Sequence, residues 1–517
     1  MPMAGRSSGR GGGGGGGVGG GRTVLGGRGG GPGVEDAVVM ELAAGEGEDN
    51  VVTVNCPDQA GLGCDLCRTI LEFGLRITRG GEPPPPPKFT YHLTHDVPKS
   101  SVSLGASTIP PPLPCRLKAT ARNPVVWFDC DRESHASAGF SSSSSSGIGD
   151  DVSTDGQWCY VIFWVVPRSP SINVRWGSLK NRLMAMCPSS YAIPFYPEIT
   201  EPGPPQFYLL KLFSTDRRGL LHDVTHILSE LEFIIQRVKV STTPDGRVVN
   251  LFFITDGMEL LHTKERQEEI CSMLIATLGP SLTCEILSAE GFQQGFSSLP
   301  PTIAEELFRL ELDECESSSG PLCAEMKKVQ KATINFDNTL SPAHTLLQIL
   351  CVDQKGLLYD MLRTLKDCNI KVTYGRFWSD KKGFREVDLF IKQADGKKVI
   401  DPEKQDALRS RMRSEMLHPL RVMIVNRGPD TELLVANPVE LAGKGRPRVF
   451  YDATLALKAL GICIFSAEIG RQAASERQWE VYRFLLDDSK EFPLSNSLTN
   501  RNRVVDRVRK TLMGCYN

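Results

Sequence analysis

Apolar and polar residues alternate along VVTVNC (51–56), YLLKLFS (208–214) and TLLQILCV (345–352). A period of two residues is that of a strand with one face in a core. After each run the period lengthens to that of an amphipathic helix, in LCRTILEFG, VTHILSELEF and MLRTLKDCN. A second strand follows, then a turn such as TPDG at 243–246 or SDKKG at 379–383, then a third strand in RVVNLFFIT and REVDLFIKQ. A further helix (TKERQEEICSMLIATLG, DPEKQDALRSRMRSEML) and a last strand (LTCEILS, LRVMIVN) close the pattern. The order βαββαβ over roughly 80 residues, written more than once, predicts an α+β chain of tandem units.

Between first strand and helix the repeats share D-x-x-G-L-x-x-D: DQAGLGCD at 58–65, DRRGLLHD at 216–223 and DQKGLLYD at 353–360. The motif also measures spacing. Asp223 and Asp245 lie 22 residues apart and Asp360 and Asp380 lie 20 apart, but Asp65 and Asp155 lie 90 apart. The excess falls near 81–150, in a segment with Pro83 to Pro87, a second proline cluster at 110–114 and Ser141 to Ser146. That composition reads as a disordered loop, either genuine or a retained intron translated in frame. A fourth, degenerate unit is legible in TELLVANP, VFYDATLALKALGICIFSAEIG and RQWEVYRFLLDD, with VELAGKGRPR in place of the glycine-leucine motif. The expected organisation is a disordered Gly/Arg-rich tail at 1–48, units at 49–200, 207–290, 331–427 and 430–517, and a linker at 291–330 with one helix near 302–313.

Net charge is −2, so no global basic field favours nucleic acid or an anionic membrane. Apolar runs such as VIFWVV and NLFFI are strand length, well short of the roughly 20 residues of a membrane helix. The tail carries Arg6, Arg10, Arg22 and Arg28 but none of the aromatics that stack on RNA, and it lacks the serine-rich amphipathic character of a transit peptide. The 15 cysteines, scattered through apolar segments, read as reduced intracellular thiols filling cores. The cytosol is the default compartment, with the nucleus as the alternative.

At a strand-to-helix turn, aspartate can accept from an orphan helix amide, glycine allows a tight turn and close approach, and leucine enters the core. Free amides at a helix start also attract a carboxylate. The motif is therefore a fold signature and a candidate binding loop at once. Other motifs carry less. His222 and His226 have the i, i+4 spacing of a zinc helix, yet the same positions hold Cys64 and Arg68 in one repeat and Tyr359 and Arg363 in another. Cys64 and Cys67 form C-x-x-C without a second pair and read as small core residues. No phosphate loop, nucleophile elbow or kinase signature is present. No metal, cofactor or catalytic residue is expected.

Four βαββαβ units with this loop resemble ACT domains, and the layout from about residue 50 to 516 is similar to the plant ACT domain repeat proteins. The resemblance is carried by VNCPDQAGLGCDLCRTILEFG, FSTDRRGLLHDVT and SPAHTLLQILCVDQKGLLYD. It implies ferredoxin-like units paired side by side through their sheets, and a non-enzymatic regulator that binds a small amino acid beside the loop. The residues carried over are Asp58, Gly61 and Leu62; Asp216, Gly219 and Leu220; and Asp353, Gly356 and Leu357. The alternative is a ligand-free scaffold for dimerisation or protein interaction. In the fourth unit, which departs from the pattern, binding is in doubt.

Overall fold

In the computed structural model, the structure describes residues 23–25, 37–45, 48–80, 158–169, 172–188, 207–256, 261–289, 299–309, 332–379, 383–440, 443, 445–474, 477–487, 493–494 and 497–514. Most of the tail, the segment read as an insert and much of the linker lie outside these residues. The first unit comprises β1 (Thr23–Leu25), β2 (Val38–Leu42), β3 (Asn50–Pro57), α1 (Leu62–Glu72), β4 (Leu75–Gly80), β5 (Trp158–Pro167) and α2 (Trp176–Met186). The second runs β6 (Tyr208–Thr215), α3 (Leu220–Glu230), β7 (Phe233–Thr242), β8 (Arg247–Asp256), α4 (Lys264–Leu278) and β9 (Thr283–Ser288). After a linker helix, α5 (Pro301–Phe308), the third holds β10 (Thr333–Asp337), β11 (Thr345–Val352), α6 (Leu357–Asp367), β12 (Ile370–Ser379), β13 (Phe384–Gln393) and α7 (Pro402–Leu417). The fourth holds β14 (Arg421–Arg427), β15 (Asp430–Pro438), α8 (Val449–Ala459), β16 (Ile464–Ala474), β17 (Arg477–Leu486) and α9 (Leu498–Met513).

The units pair one with three and two with four, not with their neighbours in sequence. One sheet of nine strands runs β1-β2-β3-β5-β4-β12-β13-β11-β10, and one of eight runs β14-β15-β17-β16-β7-β8-β6-β9. The joint in the first is antiparallel pairing of Phe377 with Gly80 and Trp378 with Arg79. In the second, Ser466, Ala467 and Glu468 face Ser241, Val240 and Lys239. β4 and β5, which flank the long interruption in sequence, pair from Leu75 with Pro167 to Arg79 with Trp164, as the hairpin reading requires.

The strand LRVMIVN, expected to close the third unit, pairs instead with β15 of the fourth, through seven register pairs from Arg421 with Ala436 to Arg427 with Asp430. The third unit takes its outer strand from upstream, β10 on β11. The first unit does the same with β2 on β3, a strand that falls inside the expected disordered tail. Only the second unit follows βαββαβ, with β9 on β6; the other three are circularly permuted to ββαββα. The outer strand occupies the same place in the sheet either way, so short-range periodicity alone does not distinguish the two orders. The hairpin does: Gly428 and Pro429 form a two-residue loop with Gly428 at φ 66, a turn that fixes β14 to β15.

Each sheet has its own apolar core, one drawn from units one and three and the other from two and four. Phe163, Phe252 and Phe484 occupy equivalent places on the third strands of units one, two and four, and all three are fully buried. Each contributes about 2–3 kcal/mol. The third unit has Leu389 there, and Phe377 reaches across the joint to within 6.4 Å of the Phe163 ring. The helices of the first sheet meet the segment before α8 of the second in a polar seam: Arg68 on α1 donates to the Gly445 carbonyl at 3.1 Å, and Tyr359 on α6 to Glu440 at 2.8 Å. On the outer face of the second sheet α5 covers Trp479, whose ring lies 5.2 Å from that of Phe308.

Candidate ligand sites at the glycine loops

The three loops have one backbone form. Gly61, Gly219 and Gly356 are the N-cap residues of α1, α3 and α6, with φ of 85, 78 and 75, the left-handed region glycine reaches without a Cβ penalty. Leu62, Leu220 and Leu357 amides donate to the carbonyls of Gln59, Arg217 and Gln354 at 3.0, 3.1 and 3.2 Å. The leucine side chains are 2–4% exposed and belong to the cores. The first aspartate of the motif caps no helix here: none of the three N-caps has a side-chain hydrogen bond. The expected aspartate cap is replaced by glycine, because the chain enters the helix through a left-handed residue.

The three aspartates differ in partners. Asp58 accepts from the Gln59 amide at 2.8 Å. Asp216 is held above the usual carboxylate range, chiefly by burial. Asp353 takes Arg385 through both oxygens, at 2.8 and 2.9 Å, with Arg76 of the first unit at 3.4 Å. Arg385 also donates to the Ile77 carbonyl at 2.7 Å, so this aspartate ties unit three to unit one. The equivalents of Arg385 are Cys159 and Val248, which cannot make that bond.

Over each glycine lies a basic side chain from another unit. A Cβ on Gly61 would stand 2.8 Å from Lys366 Nζ, one on Gly219 2.9 Å from Lys458 Cγ, and one on Gly356 2.9 Å from the Arg446 guanidinium. Lys366 and Lys458 occupy the same place in α6 and α8, nine residues after Leu357 and Val449; Leu71 and Ser229 stand there in the other two units. Lys458 also donates to Asp223 at 2.6 Å. The space left is small: about 30 Å³ beside Gly356 and about 20 Å³ beside Gly219, room for one or two waters.

The closing aspartate of the motif is kept in all four units, as Asp65, Asp223, Asp360 and Asp452. Each lies in the first helical turn, where a carboxylate faces the positive end of the helix dipole. Asp360 and Asp452 form a reciprocal exchange in the seam. Asp360 accepts from Arg446 at 3.2 Å, and Asp452 pairs with Lys355. Burial raises Asp360 to about 6 against the pull of Arg446 and Arg363, and lowers Lys355 to about 7 against that of Asp452.

The segment VELAGKGRPR, read as loss of the loop, supplies Glu440, Arg446 and Arg448 to other units. Arg448 is the N-cap of α8 with φ 64, so an arginine holds the left-handed position that glycine holds elsewhere. It donates to Ser229 Oγ at 3.0 Å and to the Glu72 carbonyl at 3.3 Å. Sequence alone does not single these residues out, because the segment lacks the glycine motif and only Asp452 marks its equivalence to the other loops. His222 is buried, with its ring 5.0 Å from that of Tyr451 and Nδ1 3.4 Å from Thr454 Oγ1. Cys64 and Cys67 are buried in the first core.

Four ferredoxin-like units, three with a left-handed glycine loop and paired sheet to sheet, define a tandem ACT-domain protein. Family comparison agrees: an ACT domain matches 208–272, an ACR9-like, ACT-like domain 333–430, the C-terminal region of ACT domain-containing protein ACR9 431–514, and the N-terminal region of ACT domain-containing protein ACR10 40–105 and 148–188. The break in that last match falls inside the segment read as an insert. ACT domain-containing protein ACR9 of Arabidopsis thaliana is 51% identical over 486 residues, 93% of this chain and 98% of the relative. ACT domain-containing protein ACR10 of the same plant is 41% identical over 487 residues, with the same coverage. The chain belongs to this ACT domain-containing ACR family of plants.

Proposed function

We propose that this chain is a non-enzymatic regulator, working in the cytosol, that binds a small amino acid between paired units and passes occupancy on through the contact between them. One observation supports the reading best: each glycine loop abuts a cation from another unit. A ligand carboxylate entering there would meet helix amides on one side and Lys366, Lys458 or Arg446 on the other. In gaps of 20–30 Å³ it would also have to move that side chain, so binding would alter the unit contact. The four units take up nearly all the described chain, which supports a role without catalysis.

The small size of those gaps favours a second reading, in which the loops are closed by Lys366, Lys458 and Arg446 and the chain is a scaffold for self-association or a protein partner. Calorimetric and thermal-shift titration of the full chain with each of the common amino acids separates the two. Saturable stabilisation by one of them, weakened in folded Gly219→Ala or Gly356→Ala variants, supports sensing at the loops. A flat response across the panel favours the scaffold.

A further inference from the structure

The unit that lacks the glycine has the open space. Where units one, two and four meet, a cavity of about 310 Å³ lies between the start of α8, the end of α3 and the end of α1, an order of magnitude larger than the gaps at Gly219 and Gly356. It is the counterpart, across the unit two–unit four joint, of the gap at Gly219. Arg448 faces Ser229 as Lys458 faces Gly219.

Three features mark this cavity as built for a ligand. Among the described residues only Glu232, Asn369 and Arg448 are non-glycines with positive φ, and two of them, Glu232 and Arg448, line it. Both stand where the fold turns left-handed in every unit, the helix N-cap and the second residue after the helix, places held by Gly219 and Gly461 in the paired unit; here two long charged side chains replace glycine despite the backbone cost. Second, Glu232 is nine-tenths buried, with Oε1 lacking a hydrogen-bond partner among the described residues. Its nearest cation there is Arg175 Nη1 at 3.7 Å, while Oε2 takes Ser178.

Third, the charges do not balance. Arg68, Arg175, Arg182 and Arg448 face Glu72 and Glu232. Glu72 already takes Arg182 at 3.0 Å and Arg68 at 3.5 Å. Arg446 and Arg471 are matched by Asp360 and Glu480, and Glu230 lies on the exposed rim beside His226.

We infer that this cavity binds an acidic amino acid, a ligand with two carboxylates and one ammonium; the inference rests on the sensor reading and moves the site from the glycine loops to the fourth unit. The α-carboxylate lies at Arg448 and the first amides of α8, where cation and helix dipole act together. The ammonium takes Glu232 Oε1, which makes no hydrogen bond among the described residues and has Arg175 only at 3.7 Å. The second carboxylate meets Arg68 and Arg182, which share the single carboxylate of Glu72 and so keep one positive charge that a neutral amino acid does not answer. The Phe73 and Tyr451 rings, each with an arginine over its face at 5.6 and 4.4 Å, form the apolar walls.

The test is calorimetry on the full chain with L-glutamate and L-aspartate, against L-glutamine, L-asparagine, glutarate and succinate. One of the acidic amino acids should bind about tenfold or more tightly than its amide and than the diacid of the same length, since each comparison removes one charge-assisted contact. Arg448→Asn keeps a residue that tolerates left-handed backbone and should weaken binding about tenfold in a protein that still melts cooperatively. Glu232→Gln, nearly isosteric, should do the same if the first variant folds poorly. Equal affinity for acid and amide overturns the inference, as does binding indifferent to both variants. Binding lost in Gly219→Ala or Gly356→Ala but kept in Arg448→Asn overturns it while leaving the sensor reading intact, and binding of no amino acid overturns both.

Discussion

Arg446 lies on Gly356: its guanidinium carbon and two nitrogens stand 2.9 Å from where a Cβ on that glycine would be. The same side chain is 2% exposed and is held by Asp360 at 3.2 Å and by the Leu512 carbonyl at 3.0 Å. A methyl group at 356 therefore meets a buried cation that can move only by giving up these bonds. Gly246 supplies the control, since its φ of 76 matches the 75 of Gly356 but nothing lies within 4 Å of its Cβ position. Gly246→Ala should cost about 1–2 kcal/mol, the left-handed backbone penalty alone. Gly356→Ala should cost at least about 2 kcal/mol more, as Arg446 is pushed off a buried carboxylate. Denaturant unfolding of the two variants measures the difference, and equal losses would show that Arg446 moves aside freely.

Lys355 and Asp452 repeat that logic in reverse across the same seam, each side chain 4% exposed. Asp452→Asn leaves a buried lysine with its main counter-charge gone, an expected loss of about 3–5 kcal/mol. Lys355→Met leaves a buried carboxylate in the same position. The double variant Lys355→Met with Asp452→Leu replaces both charges by apolar groups and should be more stable than either single change. Simple additivity in that cycle would remove the pair from the account of how units three and four are held.

The repeating loops, the helices after them and the side-by-side pairing were legible because they follow from local period and from a family likeness carried by contiguous residues. Which strand closes each unit was not. A strand's period says which face is buried, not which neighbour it pairs with, so LRVMIVN fitted equally well at the end of one unit or the start of the next. VVMEL at 38–42, with Val38 and Met40 buried, alternates as clearly as VVTVNC but follows closely on a glycine-rich tail that masks it. At the glycine loops, Asp58, Gly61, Leu62 and their counterparts are contiguous in sequence and read directly as loops, whereas the side chains that cover them, Lys366, Lys458 and Arg446, come from other units. Only the shared position of the two lysines hinted at a role.

The pairing of β14 with β15 gives a direct test of where the fourth unit begins. A fragment of residues 430–517 exposes one whole edge of β15 and lacks Leu420 and Val422, both buried in the second core. A fragment of residues 418–517 keeps the seven register pairs and both side chains, each contributing about 2 kcal/mol. The longer fragment should melt cooperatively at a higher temperature, and the shorter should show weak or no cooperative melting by circular dichroism. Identical melts would mean that β14 adds nothing to this unit.

His222 sets an acid limit that only a difference measurement exposes. It is 7% exposed, and burial first, then Lys458 and His226, lower it to about 4 from an ordinary value near 6.5. The fold thus favours the neutral ring. Its contribution is fully present above pH 6.5 and is lost as pH falls towards 4, by about 3 kcal/mol. Asp360 acts oppositely: raised to about 6, it contributes stability that is present below its unfolded value near 3.9 and lost as pH rises through 6. Between pH 4 and 6 the two offset each other, so the wild-type curve alone says little. In His222→Gln the histidine's share is gone, and stability should rise relative to wild type as pH falls from 6.5 to 4. Urea midpoints for both proteins across that range test it: parallel curves would mean that the ring is protonated in the fold as readily as in the unfolded chain.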